Sequence, residues 1–279
     1  MRIGPWTFRL FSDGLIRLDG GAMFGVVPKS LWEKQIPADG LNRIPLALRC
    51  LFAEGHGRRV LVDTGIGDRW DARQRDRLGM TRRAGELLTQ LEEAGVARDS
   101  ITDVVLTHLH FDHAGGAVLD SDGLVPAFPA ATYWLQRQQW DWAHRPSERD
   151  SASFRPEDYE VLASAGRLEL VDGVVEILPG LRLTPVSGHT PGQQITEFHT
   201  ADGVLVFLAD LIPTLAHVHL PWVAGYDLNP LITLSEKRQF LSRAAADRYR
   251  LVFQHDSVHE TCRVEFADGR FMPVEVSAL

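Results

Sequence analysis

The sequence predicts an α/β protein. Two observations carry this: apolar runs of strand length that stop at a polar residue, and segments with leucines at helical spacing set between them. Residues 204–208 (V-L-V-F-L) are a continuous apolar run suited to a strand buried on both faces. Leu87, Leu88 and Leu91 recur at helical intervals and the pattern stops near Gly95, which predicts a helix over 82–93.

Taken in order, strands are expected at 6–10 and 15–18, forming a hairpin around Asp13-Gly14. Residues 20–32 (G-G-A-M-F-G-V-V-P-K-S-L-W) are apolar but broken by Gly and Pro, and fit neither a helix nor a clean strand. Strands follow at 44–52 and 59–62. The arginines between Arg69 and Arg83 are interleaved with acidic residues and read as a solvated helix face. After the helix at 82–93 come strands at 101–106 and 131–135 and a helix at 136–143. The second half gives strands at 174–178, 181–186, 194–199 and 204–208, a helix at 234–247, and a last strand at 250–254.

The chemistry concentrates after the strand at 101–106. His108, His110, Asp112 and His113 read H-x-H-x-D-H. In an extended segment residues two apart point the same way, so His108 and His110 can grip one ion from one side. Asp112 and His113, just beyond, can turn toward a second ion, since two-metal hydrolytic sites place their ions about 3.5–4 Å apart. Three further strands end in ligand types: 181–186 runs into S-G-H-T-P-G with His189, 204–208 into Ala209-Asp210, and 250–254 into His255-Asp256. A histidine after a strand is more often structural than a ligand, so the value of these residues is joint.

H-x-H-x-D-H, then G-H-T-P-G, then a strand-terminal Asp and a strand-terminal His resemble the metallo-β-lactamase fold superfamily, over about residues 44–264, with V-D-T-G at 62–65 also matching. The resemblance implies an αββα sandwich of two mixed β-sheets flanked by helices, as a single domain over 1–279. It implies His108, His110 and His189 on one metal, Asp112, His113 and His255 on the other, and Asp210 bridging them. Asp63 would orient a ligand histidine. The cofactors implied are two divalent transition metals, zinc first, with iron, cobalt or manganese also compatible with such donors.

A water shared by two cations is acidified toward neutrality, so hydrolysis is the leading reaction class, with Asp112 placed to accept or deliver a proton. Residues 20–32 look like the hydrophobic loop of the acyl-homoserine lactonases and the related phosphotriester hydrolases. The broken segment 211–227 is placed to form an opposite wall. This resemblance implies opening of a lactone or cleavage of an ester with a hydrophobic substituent, with Met23, Phe24 and Trp222 toward substrate. The alternatives are a phosphotriesterase or arylesterase, a thioesterase, and least of all a mononuclear-iron sulfur dioxygenase. The lactonases carry a Tyr three residues after the bridging Asp, but here that position is Pro213. Thr214, His217, His219 and Tyr226 are the candidates for its role. The aromatics Tyr133, Trp134, Trp140 and Trp142 are either part of a binding wall or ordinary core.

Composition bounds the partners. With 29 basic against 37 acidic residues the net charge is −8 and no basic run is present, which argues against nucleic acid. Cys50 and Cys262 are too few for a disulfide framework. No stretch approaches the ~18 apolar residues of a membrane span, nor is there a signal-peptide core. The expectation is a cytoplasmic enzyme acting on a small molecule with a hydrophobic group, without a membrane partner, and compatible with a homodimer.

Overall fold

The computed structural model describes residues 1–279, and two seven-stranded sheets organise them. The first sheet draws on β1 (Arg2–Ile3), β2 (Trp6–Asp19), β3 (Arg43–Gly55), β4 (Arg58–Val62) and β5 (Asp103–Val105). Beyond a small ribbon of β6 (Val118–Asp120) and β7 (Leu124–Pro126), it is completed by β8 (Thr132–Gln136) and β9 (Leu168–Val171). The second sheet runs β10 (Val175–Leu178), β11 (Leu181–Val186), β12 (Gln193–Thr200), β13 (Gly203–Phe207), β14 (Arg250–Val252), β15 (Thr261–Ala267) and β16 (Arg270–Ser277), each beside the next. Both sheets are mixed. From β4 through β5 and β8 to β9 the first sheet is parallel, and in the second only β13 and β14 pair in parallel.

Eight helices fill the connections. α1 (Gly20–Phe24) and α2 (Lys29–Trp32) join β2 to β3, while α3 (Ala72–Arg77) and α4 (Glu86–Glu93) join β4 to β5. α5 (Phe111–Ala114) follows β5, α6 (Arg137–Ala143) and α7 (Glu160–Ser164) follow β8, and α8 (Pro230–Ala246) is the crossover from β13 to β14.

Alternation along the strands sets the layers. In β3, Leu51 and Ala53 face the second sheet, where they join Leu205, Phe207 and Val252 in one core. Cys50 and Phe52 face the other way, onto Leu87 and Leu91 of α4. In β13, Leu205 and Phe207 point inward while Val206 packs toward Phe240 and Leu241 of α8. Because successive side chains alternate and both faces are covered, these strands read as continuous apolar runs. The result is helices, sheet, sheet, helix: the αββα sandwich.

Several elements differ from expectation. The segment around Asp13-Gly14 is not a hairpin: β2 continues through it as one strand along β3, with a bulge between Ser12 and Leu15. Gly14 takes φ +92°, and a Cβ there would lie 2.4 Å from that of Arg82. The helix expected from Arg82 starts at Glu86 instead. Arg82 is buried, donating to Asp13 at 2.5 Å and also to Asp68, so the arginine segment is not a uniformly solvated face. Arg69 likewise pairs with the buried Asp158. Residues 20–32 contain α1 and α2, with the Asp19 side chain capping α1 by accepting from Ala22 N at 2.9 Å. The strand at 250–252 is not the last, because β15 and β16 extend the sheet.

Candidate metal centre

Five strands of the two sheets deliver polar residues at their C-terminal ends, where open α/β sheets present side chains to a crevice. From the first sheet come Asp63, directly after β4, and the segment after β5. There Thr107 donates its N–H and its hydroxyl to the two oxygens of Asp63, at 2.7 and 2.8 Å. This clamp fixes the chain just before His108 and His110, and the turn into α5 then brings Asp112 and His113 to the same region. From the second sheet come His189 after β11, Asp210 after β13 and His255 after β14. Asp63 and Ala209, neither of them glycine, take left-handed φ of 58° and 46°. Such strain costs about 1 kcal/mol or more per residue and collects at functional sites.

The side chains form two groups with ligand atoms close together: His108, His110, His189 and Asp210, and beside them Asp112, His113 and His255. Asp210 faces both groups. One of its oxygens lies 3.1 Å from His189 Nε2 and the other 3.1 Å from His255 Nε2. The Nδ1 atoms point outward to fixed acceptors: His113 to Asp63 at 2.9 Å, His189 to Asp227 at 2.8 Å, and His255 to the Ala47 carbonyl at 2.8 Å. With Nδ1 carrying the proton, each Nε2 lone pair is aimed into the cluster.

A family model for the metallo-beta-lactamase superfamily matches residues 45–255. The chain belongs to the metallo-β-lactamase superfamily. An N-acyl homoserine lactonase of Bacillus thuringiensis is 26% identical over 235 residues, covering 78% of this chain and 85% of that one. Among solved structures, a probable metal-dependent hydrolase from Staphylococcus aureus superposes with a TM-score of 0.89 at 27% identity, over 100% of both chains. The dizinc quorum-quenching lactonase AidC, solved with a homoserine product, gives 0.83 at 22% identity over 100% of this chain and 97% of that one, a likeness of fold. This superfamily member is a metal-dependent hydrolase.

The donor set fits a bound metal. His108 Nε2 and Asp210 Oδ1 are buried without a hydrogen-bond partner, and His189 Nε2 sits 3.1 Å from His110 Nδ1 and His255 Nε2 3.3 Å from His113 Nε2. Two imidazole nitrogens with converging lone pairs suit a cation between them. Burial, followed by the neighbouring imidazoles, holds His108 and His110 well below the usual histidine pKa, so both are neutral and have a lone pair to offer. At Asp210 burial opposes ionisation, but His113, His255 and His189 outweigh it and hold the carboxyl well below its usual range.

The cluster floors a cleft of about 590 Å³. Leu18, Ala22, Met23, Leu46, Leu78 and Phe111 give it an apolar lining, and Arg77, Arg149, Ser153 and Tyr226 are among its polar residues. Of the residues expected near substrate, Met23 and Tyr226 line this cleft. Phe24 is fully buried, its ring stacked between Trp32 and His217 at 5.3 and 4.7 Å. His217 is buried too, held by the Thr214 hydroxyl at 2.7 Å and the Met23 carbonyl at 2.9 Å. Trp222 packs edge-on against Phe24, and His219 lies exposed against Trp222. Tyr133 belongs to the core beneath the first sheet, with Trp140 and Trp142 packed against it, and Trp134 packs on the inter-sheet core.

Asp227, Arg77, Arg149 and the apolar lining other than Met23 were not foreseen. Asp227 follows His189 by 38 residues within a loop broken by Pro and Gly, where no local pattern marks it. That loop is pinned by α8. Lys237 donates to the Trp222 carbonyl at 2.6 Å, while Glu236 accepts from Ser187 N at 2.7 Å and Gly188 N at 3.1 Å, beside His189.

Proposed function

We propose that this hydrolase works with two cations and opens a lactone, or cleaves an ester, that carries a hydrophobic substituent. The observation that carries the reading is Asp210, with one oxygen toward each donor group. His108, His110 and His189 would hold one ion, Asp112, His113 and His255 the other, and Asp210 both. When bound, such a pair supplies an acidified water as nucleophile and polarises the carbonyl under attack. Zinc is the first choice of metal for these donors.

The protein's own residues orient and move protons. Asp63, Asp227 and the Ala47 carbonyl hold three imidazoles in one tautomer, so the donor geometry is set before substrate arrives. Asp112 lines the cleft with an oxygen 3.7 Å from His255 Nε2, and is the group to take the proton from the attacking water and pass it to the leaving oxygen. Among the four candidates for the position taken by Pro213, Tyr226 lines the cleft, while Thr214 and His217 are spent on each other. Burial and then Asp112 push the Tyr226 phenol up to about 12, so it stays a neutral donor that can hydrogen-bond the substrate carbonyl. The apolar lining takes the substituent, at about 0.8 kcal/mol for each methylene fully buried.

The test is a hydrolysis panel scored by acid release, over short and long acyl-homoserine lactones, aromatic lactones, aryl esters and a phosphotriester, with elemental analysis of the same protein. The expected result is about two metals per chain and a kcat/KM on lactones that rises more than tenfold over several added methylenes. One tightly held metal with no activation by more, or a preference for the phosphotriester, overturns the reading.

A further inference from the structure

The cleft carries two cations that neither the fold nor the donor groups require. Arg77, the last residue of α3, is exposed at the rim and makes no ion pair and no side-chain hydrogen bond. Arg149, also exposed, spends one N–H on the Gly225 carbonyl and has no carboxylate partner. The acidic residues of the same cleft are all committed. Asp112 and Asp210 belong to the donor groups, and Asp150 accepts from Trp142 Nε1 at 2.8 Å and Ser147 Oγ at 2.6 Å. In a chain of net charge −8, the free charges facing this cleft are positive.

Arg77 also marks a junction. With Leu78, Phe111 and Ala152 it lines both the main cleft and an adjoining cavity of about 290 Å³, whose other residues include Gln74 and the ion pair of Arg155 with Glu157 at 3.0 Å, which leaves Arg77 as the unpaired charge at the junction. A substituent lying along Leu78 and Phe111, away from the donor groups, therefore ends beside a guanidinium. The backbone that presents Arg77 is held in place, because Asp71 and Gln74 cap the start of α3 reciprocally and Leu78 N donates to the Gln74 carbonyl at 3.0 Å.

We propose that Arg77 determines specificity by receiving a carboxylate at the far end of the substituent, with Arg149 adding to the positive field. The substrate class is then a lactone or ester with an apolar spacer and a distal carboxylate, rather than a neutral acyl chain. A guanidinium matches a carboxylate through two parallel hydrogen bonds, which a terminal methyl cannot use. The carboxylate released by hydrolysis forms at the donor groups, inside the cleft, and so is a different anion from the one at the rim. This inference rests on the proposed reading of the cleft as the site of lactone or ester hydrolysis.

Two probes separate the inference from that reading. The first compares aryl esters of one chain length, ending in a methyl or in a carboxylate, on the metal-loaded enzyme. The second is calorimetric binding of octanoate and octanedioate, which needs no turnover. Octanedioate is expected to bind roughly fivefold more tightly at low salt, the scale of a part-exposed ion pair, and to lose that advantage as salt screens it. The carboxylate-ended ester should show the same ratio in KM with little change in kcat. Arg77→Gln should bring both ratios toward one, and Arg77→Lys should restore part of them. If octanoate binds as well as octanedioate, or the advantage survives in Arg77→Gln, the inference is wrong. If neither ester is hydrolysed yet the binding ratio holds, ester cleavage is removed from the proposed function and the anion subsite stands.

Discussion

The Nδ1 of His189 gives its proton to Asp227 at 2.8 Å, and that one contact decides which nitrogen of the ring faces the donor cluster. Removing it frees the ring to turn and to change tautomer. Asp227→Ala should therefore weaken metal retention by about 10–100-fold, the scale typical of such outer carboxylates, measured by competition with a coloured chelator. Unchanged retention would show that the loop alone holds His189. Asp63 could be named from the sequence only through the family resemblance, which V-D-T-G at 62–65 helps to carry. Asp227 could not, since its relation to His189 exists only once the loop has folded back. Phe24 shows a different limit. Its apolar character was evident, but successive residues on α1 point about 100° apart, so Met23 reaches the cleft and Phe24 turns into the core.

At the scale of elements, α1 is pinned to the segment after Asp210 by His217, whose two nitrogens are taken by Thr214 and by the Met23 carbonyl. Burial, with Lys237 adding to it, lowers the His217 pKa to about 3. In the unfolded chain the same imidazole takes a proton below about 6.5. The unfolded state thus binds more protons between these values, and stability is full above about 6.5 and is lost as pH falls toward 3. The loss attributable to this one ring is on the order of 4 kcal/mol. Denaturant melts from pH 7 to pH 4 should show it, and His217→Gln, less stable at pH 7, should show a flatter dependence. A parallel pH dependence in the variant would place the acid sensitivity elsewhere. The same dipeptide signal has two outcomes in this chain. The two-residue hairpin of the D-G type exists at Asp268-Gly269, where both φ are positive, and closes β15 onto β16. At Asp13-Gly14 the same dipeptide makes a bulge, because β3 is long enough to pair with β2 on both sides of it.

Over the whole molecule, periodicity alone supports an α/β chain, and the sandwich was implied only by the family resemblance that the motifs carry. β15 and β16 escaped notice because they carry charged residues and exposed apolar ones such as Phe266, so no clean alternation marks them. The donor groups draw on both sheets, with His108, His110, Asp112 and His113 from the first and His189, Asp210 and His255 from the second. A cation held by such a set ties the two layers together. Chelation should then lower the melting temperature by roughly 10 °C, as expected when a ligand present at about a thousand times its Kd is removed from a domain of this size. A melt unaffected by chelator, in protein shown to have lost its metal, would mean that the inter-sheet core alone sets the stability.

The spacing of those donors along the chain has a consequence for synthesis. His255 and His113 face each other across 3.3 Å but are 142 residues apart in sequence. A ribosome making the protein releases the H-x-H-x-D-H segment long before the residues that complete either group, at about 5–20 residues per second. For several seconds the nascent chain displays three histidines and an aspartate with no lasting way to enclose an ion. Metal acquisition is then a late event, decided by whichever cation is abundant where the finished chain folds, and the metal found in a purified sample reports on the host's metal supply as much as on the protein.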